Sequence, residues 1–405
     1  MDSIERQVGQ RATPHPVQQI TTSTDSREIL ANNRHDIKRY GLEDYFIVDV
    51  DSHHVEFDSW SEVLDNIEDP VLRYNGQSMV ENWPYARNLA LSNHPAGLTF
   101  QDVAGRIPHQ AGLREPVEPA PRGEHRDLTL VRRAMDSMAI DIQVVFPQPM
   151  LESGLHPSAE IATQLVMAYN RWFTSRILPH EPRLRTMLAL PFSDPAASLR
   201  TVREFGETPG VVGFLVTSQR SEAVYHPAYM PLYRELEERG LPIGFHAGPD
   251  YSTAKSLNRF VSVHSLSFVT CNMVHLTNWI INGLPERFPK LKVIWIESGL
   301  AWLPFMMQRL DHEFLMRQSD APLLKKRPSD YMRDMYYTSQ PMEATDLALL
   351  EATFKAIRAE SQLLYSSDWP HWDFDTPGRM ASLPFLSEQA KRNILGETAR
   401  QLFRL

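Results

Sequence analysis

This 405-residue sequence has a single cysteine, no long apolar run and no excess of positive charge. The single cysteine, Cys271, excludes an internal disulfide and thiolate metal clusters, so any metal must be held by histidines and carboxylates. No apolar run approaches the roughly 18 residues of a membrane span, and Met1-Asp2-Ser3-Ile4 lacks a signal-peptide core. We therefore expect a cytoplasmic protein that binds no membrane. Lys and Arg number 41 against 50 Asp and Glu, a net charge of −9 that disfavours nucleic acid as a partner.

Short apolar runs alternate with stretches of helical spacing through most of the chain. Strands are predicted at residues 46–50, 142–146, 186–190, 211–216, 242–245, 293–296, 335–338 and 363–365. Helices are predicted at residues 128–139, 158–178, 195–206, 226–239, 265–287, 300–316, 343–358 and 386–404. Continuous Val, Ile, Leu and Phe runs are typical of buried parallel strands, so the pattern predicts an α/β fold, a (β/α)8 TIM barrel. The competing architecture, an open doubly wound sheet, lacks its glycine-rich first turn here.

Two segments lie outside this alternation. Residues 1–43 are polar and are expected to form an N-terminal arm, which leaves residues 44–405 for a metal-dependent barrel domain. Residues 58–126 include Pro116, Pro119 and Pro121 and are too long and irregular for one loop. We expect this segment to be an insertion after the first strand, placed over the barrel mouth as a lid.

Metal-capable side chains follow four of the predicted strands. Asp51 and His53 come at the end of the first strand, where alternate residues share a face and can bind one metal ion. His246 follows the fifth strand, Glu297 the sixth and Asp368 the eighth. In a barrel of this kind the carboxyl ends of the strands carry the reacting groups, so these side chains are expected to meet at one rim.

Each of these residues also has a structural explanation when it is taken alone. An Asp at a strand end is commonly a helix cap, and a single His there is commonly hydrogen bonded to its surroundings. Their joint occurrence favours a metal site, because burying Asp51, Glu297 and Asp368 together without a cation would cost several kcal/mol. A divalent ion removes that cost.

These elements together resemble the amidohydrolase-related family, a branch of the metal-dependent TIM-barrel hydrolases that also contains aminocarboxymuconate-semialdehyde and resorcylate decarboxylases. The resemblance runs from about Phe46 to Leu405. It is carried by Asp51-Ser52-His53, by Phe245-His246-Ala247, by the segment from Leu284 to Gly299 with its continuation to His312, and by Ser366-Ser367-Asp368-Trp369-Pro370-His371.

The resemblance implies that Asp51, His53, His246 and Asp368 are metal ligands and that Asp368 also handles a proton. One position departs from the family pattern, because the family decarboxylases place a catalytic His after the sixth strand and this chain has Glu297. A carboxylate there is expected to act as a further metal ligand, to one ion or bridging two, or as a general acid or base. Thr217 ends the fourth strand, so the carbamylated lysine of binuclear amidohydrolases is not expected.

Three further groups stand near these ligands in sequence: His54, Glu56 and His371. They are able to complete a second metal site. The alternative, which we favour, is that they form hydrogen bonds that orient the ligands.

Several functions remain open from the sequence. The first is hydrolysis of an amide, lactone or carbon-carbon bond in a small organic substrate by a metal-activated water, with Glu297 and Asp368 as catalytic groups. The alternatives are nonoxidative decarboxylation of an aromatic or unsaturated acid, an Fe- or Mn-dependent oxygenase with a glutamate-bridged pair of ions, and a noncatalytic partner subunit. Zinc is the first expectation for the metal, with manganese or iron and one or two ions as alternatives. A homo-oligomer is expected, or a hetero-oligomer with a related barrel.

Overall fold

The computed structural model describes residues 26–54, 59–82, 123–156, 158–217, 222–254, 256–257 and 260–405. Eight parallel strands form one sheet in chain order. They are β1 Val48–His54, β2 Ile142–Pro147, β3 Leu184–Ala189, β4 Val211–Val216, β5 Ile243–His246, β6 Val293–Ile296, β7 Tyr336–Thr338 and β8 Leu363–Leu364. The predicted (β/α)8 barrel is confirmed.

The sheet closes through the segment that follows β8, since β8 itself has only two residues. The amide of Val50 donates to the Tyr365 carbonyl at 2.9 Å, and the amide of His53 donates to the Trp369 carbonyl at 2.7 Å. In the other direction, the amide of Asp368 donates to the Asp51 carbonyl at 2.7 Å. This β1/β8 seam therefore joins two of the segments that carry predicted ligands.

The α-helices of the described ranges surround the barrel or cover its ends. In chain order they are α1 Ser26–Tyr40, α2 Trp60–Leu64, α3 Pro70–Asn82, α4 Arg126–Met138, α5 Ala159–Arg176, α6 Pro195–Phe205, α7 Met230–Arg239, α8 Tyr251–Ala254, α9 Phe260–Ser262, α10 Phe268–Ile281, α11 Leu284–Arg287, α12 Trp302–Met316, α13 Pro328–Met332, α14 Leu347–Ile357, α15 Ala359–Gln362, α16 Pro377–Ala381, α17 Glu388–Arg392 and α18 Thr398–Phe403. None of them is long and apolar enough to cross a bilayer.

Side-chain caps explain where several of these helices begin. Ser158 Oγ accepts a hydrogen bond from the amide of Ile161 at the start of α5. Asp194 accepts one from the amide of Ala197 at the start of α6, where Pro195 occupies the first position. The Asp194 cap ends the loop that follows β3 within a few residues of Ala189.

Alternating residues of the strands build two cores. Ile294 and Ile296 of β6 belong to a cluster inside the barrel, whereas Val293 and Trp295 pack outward against the helices. The inner cluster also contains Val48, Val50, Val144, Phe146, Met187, Leu215 and Leu364. It fills the barrel beneath the mouth, so solvent has access to the strand ends from one side only.

Two predicted helices are less regular than expected. The segment 265–287 is divided into a π-helical turn at Val263–Ser267, α10 and α11, with Gly283 at φ 70° between the last two. A residue in this left-handed conformation cannot continue a helix, and glycine adopts it without strain. The segment 386–404 likewise contains a π-helical turn, Asn393–Glu397, between α17 and α18.

The described half of the polar arm is the helix α1. Leu30 and Ile37 are buried, and Asn33 Nδ2 donates to the Ser137 carbonyl at 3.0 Å, so α1 packs against α4. Of the predicted insertion, α2 and α3 are described and residues 83–122 lie outside the described residues, so the lid stays a prediction.

Candidate metal centre

Three strand ends bring Asp51, His53, His246 and Glu297 together at the barrel mouth. His53 Nε2 lies 3.4 Å from Asp51 Oδ1, and His246 Nε2 lies 3.6 Å from the same atom. His246 Nε2 is also 3.2 Å from Glu297 Oε2. All four side chains are buried. Their ligand atoms lie within 4.8 Å of one another, which is close enough for one ion to contact them all.

Asp368 and His371 adjoin this group from the segment after β8. Asp368 Oδ1 lies 2.9 Å from His53 Nε2 and 2.7 Å from His371 Nδ1. The rings of His53 and His371 are stacked, with centroids 4.2 Å apart and an interplanar angle of 24°. His371 Nε2 is 2.6 Å from Gln148 Oε1, which fixes the other edge of the ring. The structure thus brings together the five predicted ligands and His371.

The backbone departs from regular strand geometry at the residues whose side chains point into the metal centre. The pairing of β1 with β2 changes register between Asp49 and Ser52. Val50 faces the barrel interior, so strict alternation would turn Asp51 and His53 outward, and the bulge turns them to the mouth. Glu297 and Asp368 have φ values of 53° and 60°, a left-handed conformation that is rare for residues other than glycine and is concentrated at functional sites.

Two buried side chains support the ligands, and neither is marked by a pattern in the sequence. Asp49 accepts hydrogen bonds from the amide of Ser367 at 2.8 Å and from its hydroxyl at 2.6 Å, which joins β1 to the segment that carries Asp368. Asn272 of α10 donates to the carbonyls of Phe245 at 3.0 Å and Ile296 at 3.2 Å. Asn272 therefore fixes the ends of β5 and β6, from which His246 and Glu297 project.

Electrostatics makes the metal-free cluster unfavourable for ionised carboxylates. Burial raises the pKa of Asp51 above its usual value, against the opposing effect of His246. Burial, together with the charges of Asp51 and Asp373, raises the pKa of Glu297 well above its ordinary range. Burial and the charges of Glu297 and Asp51 do the same to the pKa of Asp368. A cation among these groups would stabilise the carboxylates in their charged form.

The donor set fits a divalent ion. Both carboxylate oxygens of Asp51, Nε2 of His246 and Oδ2 of Asp368 are buried and have no hydrogen-bond partner within the described ranges of the chain. Buried polar atoms without a hydrogen bond are rare, because each lowers the stability of the fold by about 1–3 kcal/mol. A bound ion would satisfy these atoms. A mixture of imidazole and carboxylate ligands suits Zn, Mn or Fe.

Of the remaining predicted site residues, the structure describes His54 alone, and His54 does not join this group. His54 lies on the opposite face of β1, where its Nε2 is 2.9 Å from Asp127 Oδ2, so it does not contribute to a second metal site with His371. Burial opposes ionisation of Asp127, but His54 and Ser59 hold its pKa below the usual value. The pair connects β1 to α4. Glu56 lies outside the described residues.

Asp373 was not predicted from the sequence. Its charge contributes to the raised pKa of both Glu297 and Asp368, which places it near the cluster. His264 Nε2, in the π-helical turn, is 3.8 Å from Asp373 Oδ2, and the His264 ring lies 5.5 Å from that of Trp372. Asp373 and His264 therefore connect the π-helical turn to the segment after β8.

The chain belongs to the amidohydrolase family, whose model matches residues 120–405. This range contains seven of the eight strands, and β1, with Asp51 and His53, precedes it. The fold and the clustered ligands agree with the family resemblance noted in the sequence.

Among curated proteins, the chain is similar to the gamma-resorcylate decarboxylase of Polaromonas sp. strain JS666. The two are 23% identical over 330 residues, which cover 78% of this chain and 98% of the relative.

Two solved structures share the fold. The 5-carboxyvanillate decarboxylase of Sphingomonas paucimobilis superposes with a TM-score of 0.65 at 20% identity, covering 89% of this chain and 99% of that one. The dihydroxybenzoic acid decarboxylase of Polaromonas sp. JS666, solved with manganese and the inhibitor 2-nitroresorcinol, gives a TM-score of 0.61 at 19% identity, with coverage of 89% and 97%.

Proposed function

We propose that this protein is a metal-dependent nonoxidative decarboxylase of an aromatic carboxylic acid. The observation that carries the proposal is the buried Asp368, which lies in one group of metal-capable side chains with His53, Glu297 and His371 and whose Oδ2 has no hydrogen-bond partner among the described residues. The sequence favoured hydrolysis over decarboxylation because Glu297 replaces a histidine. The relatives favour decarboxylation, since the three reported above carry that activity in their names.

Asp51, His53, His246 and Glu297 would hold the ion, with Glu297 as a ligand in place of the family histidine. When bound, the ion would draw electron density from the substrate's oxygen atoms and neutralise charge that the buried carboxylates leave uncompensated. Manganese is the proposed ion rather than zinc, because a relative of the same fold was solved with manganese.

Asp368 is the proposed proton donor. Burial raises the pKa of this carboxyl group, which is not among the four proposed ligands, and Oδ1 is held between His53 and His371, which leaves Oδ2 to deliver a proton. The proton goes to the ring carbon that bears the carboxylate. The bond from that carbon to the carboxylate then breaks, its electron pair restores the aromatic ring, and carbon dioxide leaves. The transfer leaves Asp368 ionised beside His371, whose Nδ1 lies 2.7 Å from Oδ1 and can stabilise the charge.

The test is a decarboxylation assay of manganese-loaded protein with 2,6-dihydroxybenzoate and 5-carboxyvanillate. We expect release of carbon dioxide and, in D2O, a single deuterium at the ring carbon that lost the carboxylate. A panel of aryl esters, lactones and amides is assayed in parallel. Hydrolysis of that panel without carbon dioxide release from the aromatic acids would overturn the proposal.

A further inference from the structure

A cavity lies at the end of the barrel opposite the metal centre, where the strands begin. Its volume is about 260 Å³, just below the range of about 300–1,000 Å³ that is usual for ligand pockets. Its lining includes Lys292, which stands directly before β6, and Tyr336, the first residue of β7. At the rise of an extended strand, Lys292 is about 16 Å from Glu297 at the other end of β6. The cavity is therefore distinct from the candidate metal centre.

Hydrogen-bond donors prevail among the polar groups of this cavity. Its lining includes the side chains of Lys292, Tyr336, Glu360, Asn393, Thr398 and Arg404. Within the described ranges, neither Lys292 nor Arg404 forms an ion pair with a carboxylate. Oδ1 of Asn393 accepts a hydrogen bond from Gln389 Nε2 at 2.9 Å, which leaves the Asn393 amide nitrogen as a donor. Two cations without a carboxylate partner, next to neutral donors, favour the binding of an anion.

Glu360 is the exception in this lining, since a carboxylate repels an anion. It is exposed, and among the described residues it forms no ion pair with either cation, so it occupies a separate part of the cavity. A carboxylate in that position can accept a hydrogen bond from a hydroxyl group. We propose that the cavity binds a small organic oxyanion that carries at least one hydroxyl group. The oxyanion, a phosphate or a carboxylate, contacts Lys292 and Arg404, and the hydroxyl group contacts Glu360.

The cavity also joins the starts of three neighbouring strands. Lys292 precedes β6, Tyr336 begins β7, and Glu360 belongs to α15, which runs directly into β8. Strands β7 and β8 are the shortest of the sheet, with three and two residues. Since β6 and β8 lead to Glu297 and Asp368, a ligand that holds the starts of these strands should also stabilise the metal centre. Neither the anion site nor this coupling rests on the proposed function.

The binding experiment uses isothermal titration calorimetry of the full-length protein, with and without bound manganese. The probes are glycerol phosphate, glycerate and propyl phosphate, which carries the phosphate of the first probe but no hydroxyl group. We expect one site per chain in both preparations, which separates it from an anion that contacts the metal. Binding of glycerol phosphate alone would assign phosphate as the anionic group, and binding of glycerate alone would assign carboxylate. Failure of both to bind at millimolar concentration would overturn the proposal.

Lys292→Gln removes one of the two cations from the cavity. We expect the affinity for the hydroxylated probe to fall by about 10–100-fold, the usual effect of losing a hydrogen bond to a charged group. Lys290→Gln is the matched control, because Lys290 is an exposed lysine of the same segment that does not line the cavity. Wild-type affinity in Lys292→Gln would place the anion elsewhere and refute the site. Arg404→Gln should show the same loss, and it decides the matter if Lys292→Gln does not fold.

Glu360→Ala tests the contact with the hydroxyl group. The wild type should bind glycerol phosphate more tightly than propyl phosphate, and the variant should bind the two with equal affinity. A preference for glycerol phosphate that persists in the variant would show that Glu360 does not recognise the hydroxyl group.

Equilibrium dialysis tests the coupling to the metal centre. Manganese affinity is measured in glycerol phosphate and in an equal concentration of propyl phosphate, so that complexation of the metal by free phosphate is matched. We expect tighter manganese binding in glycerol phosphate and, by linkage, a gain of the same factor in the affinity for glycerol phosphate when manganese is bound. Both gains should be absent in Lys292→Gln. Equal manganese affinity in the two solutions would overturn the coupling, whereas calorimetry alone decides the anion site.

Discussion

At the scale of single residues, Asp368 combines several unusual properties. It is fully buried, it lies in a left-handed conformation, and its Oδ2 has no hydrogen-bond partner in the part of the chain that the structure describes. Asn adopts this conformation more readily than most residues, so Asp368→Asn keeps the backbone and the shape of the side chain while it removes the acidic proton.

We predict that Asp368→Asn lowers kcat by about 10²–10⁴-fold, the usual contribution of a general acid. Manganese should still bind, because Asp51, His53, His246 and Glu297 are unchanged. Rates are measured with saturating substrate, and bound metal is measured in the same preparation. If the variant keeps the wild-type kcat, Asp368 takes no part in the proton transfer.

The ligands were predictable from the sequence because each follows an apolar strand. That signal is shared by Asp51, His53, His246 and Glu297. The barrel then brings the carboxyl ends of their strands to one rim. The supporting residues have no such signal. Asn272 lies in the middle of a helix, and its three acceptors are distant in sequence. Alternation along β1 does indicate that His54 faces away from His53, and the structure places it against Asp127.

At the scale of elements, continuous apolar runs predicted the strands well because parallel strands are buried on both faces. The bulge in β1 and the two π-helical turns were not predictable. Each depends on one extra residue in an otherwise regular element. In β1 every residue is buried, so the pattern of apolar residues does not reveal where the side chains change face. The first π-helical turn places His264 near Asp373, so an unpredicted local feature affects the surroundings of the candidate site.

Helix α10 carries a buried titratable group outside the metal centre. His275 packs against Phe245, and burial lowers its pKa from 6.5 to about 4, with Asp250 opposing the change. Since the folded pKa lies below the unfolded one, the unfolded state binds the proton first as the pH falls. The contribution to stability is complete above pH 6.5, is lost as the pH falls towards 4 and stays constant below that.

We predict that His275→Gln makes stability less sensitive to acid. The two pKa values differ by about 2.5, so the wild type should lose about 3 kcal/mol more than the variant between pH 7 and pH 4. Urea unfolding of both metal-free proteins at several pH values provides the measurement. Parallel plots of unfolding free energy against pH would show that His275 does not titrate in this way.

At the scale of the whole molecule, barrel closure and the metal centre depend on the same seam. The short β8 supplies few ladder hydrogen bonds, and the pair Asp49 and Ser367 adds a side-chain connection between the first and last strands. Burial raises the pKa of Asp49 to about 7, while the hydrogen bonds from Ser367 favour its charged form. Folding of the complete barrel therefore sets the position of Asp368 relative to Asp51.

Ser367→Ala should loosen this seam. The variant loses the 2.6 Å hydrogen bond to Asp49 and the acceptor of the Trp369 amide, which leaves buried groups unsatisfied at a cost of about 1–3 kcal/mol. We expect faster amide hydrogen exchange in β1 and in residues 365–371, together with weaker binding of manganese. Ser198→Ala is the matched control, because it removes an equally buried hydroxyl whose acceptor is the Pro191 carbonyl, away from the seam. Equal exchange in the seam of both variants would show that the Asp49–Ser367 pair does not hold the barrel closed.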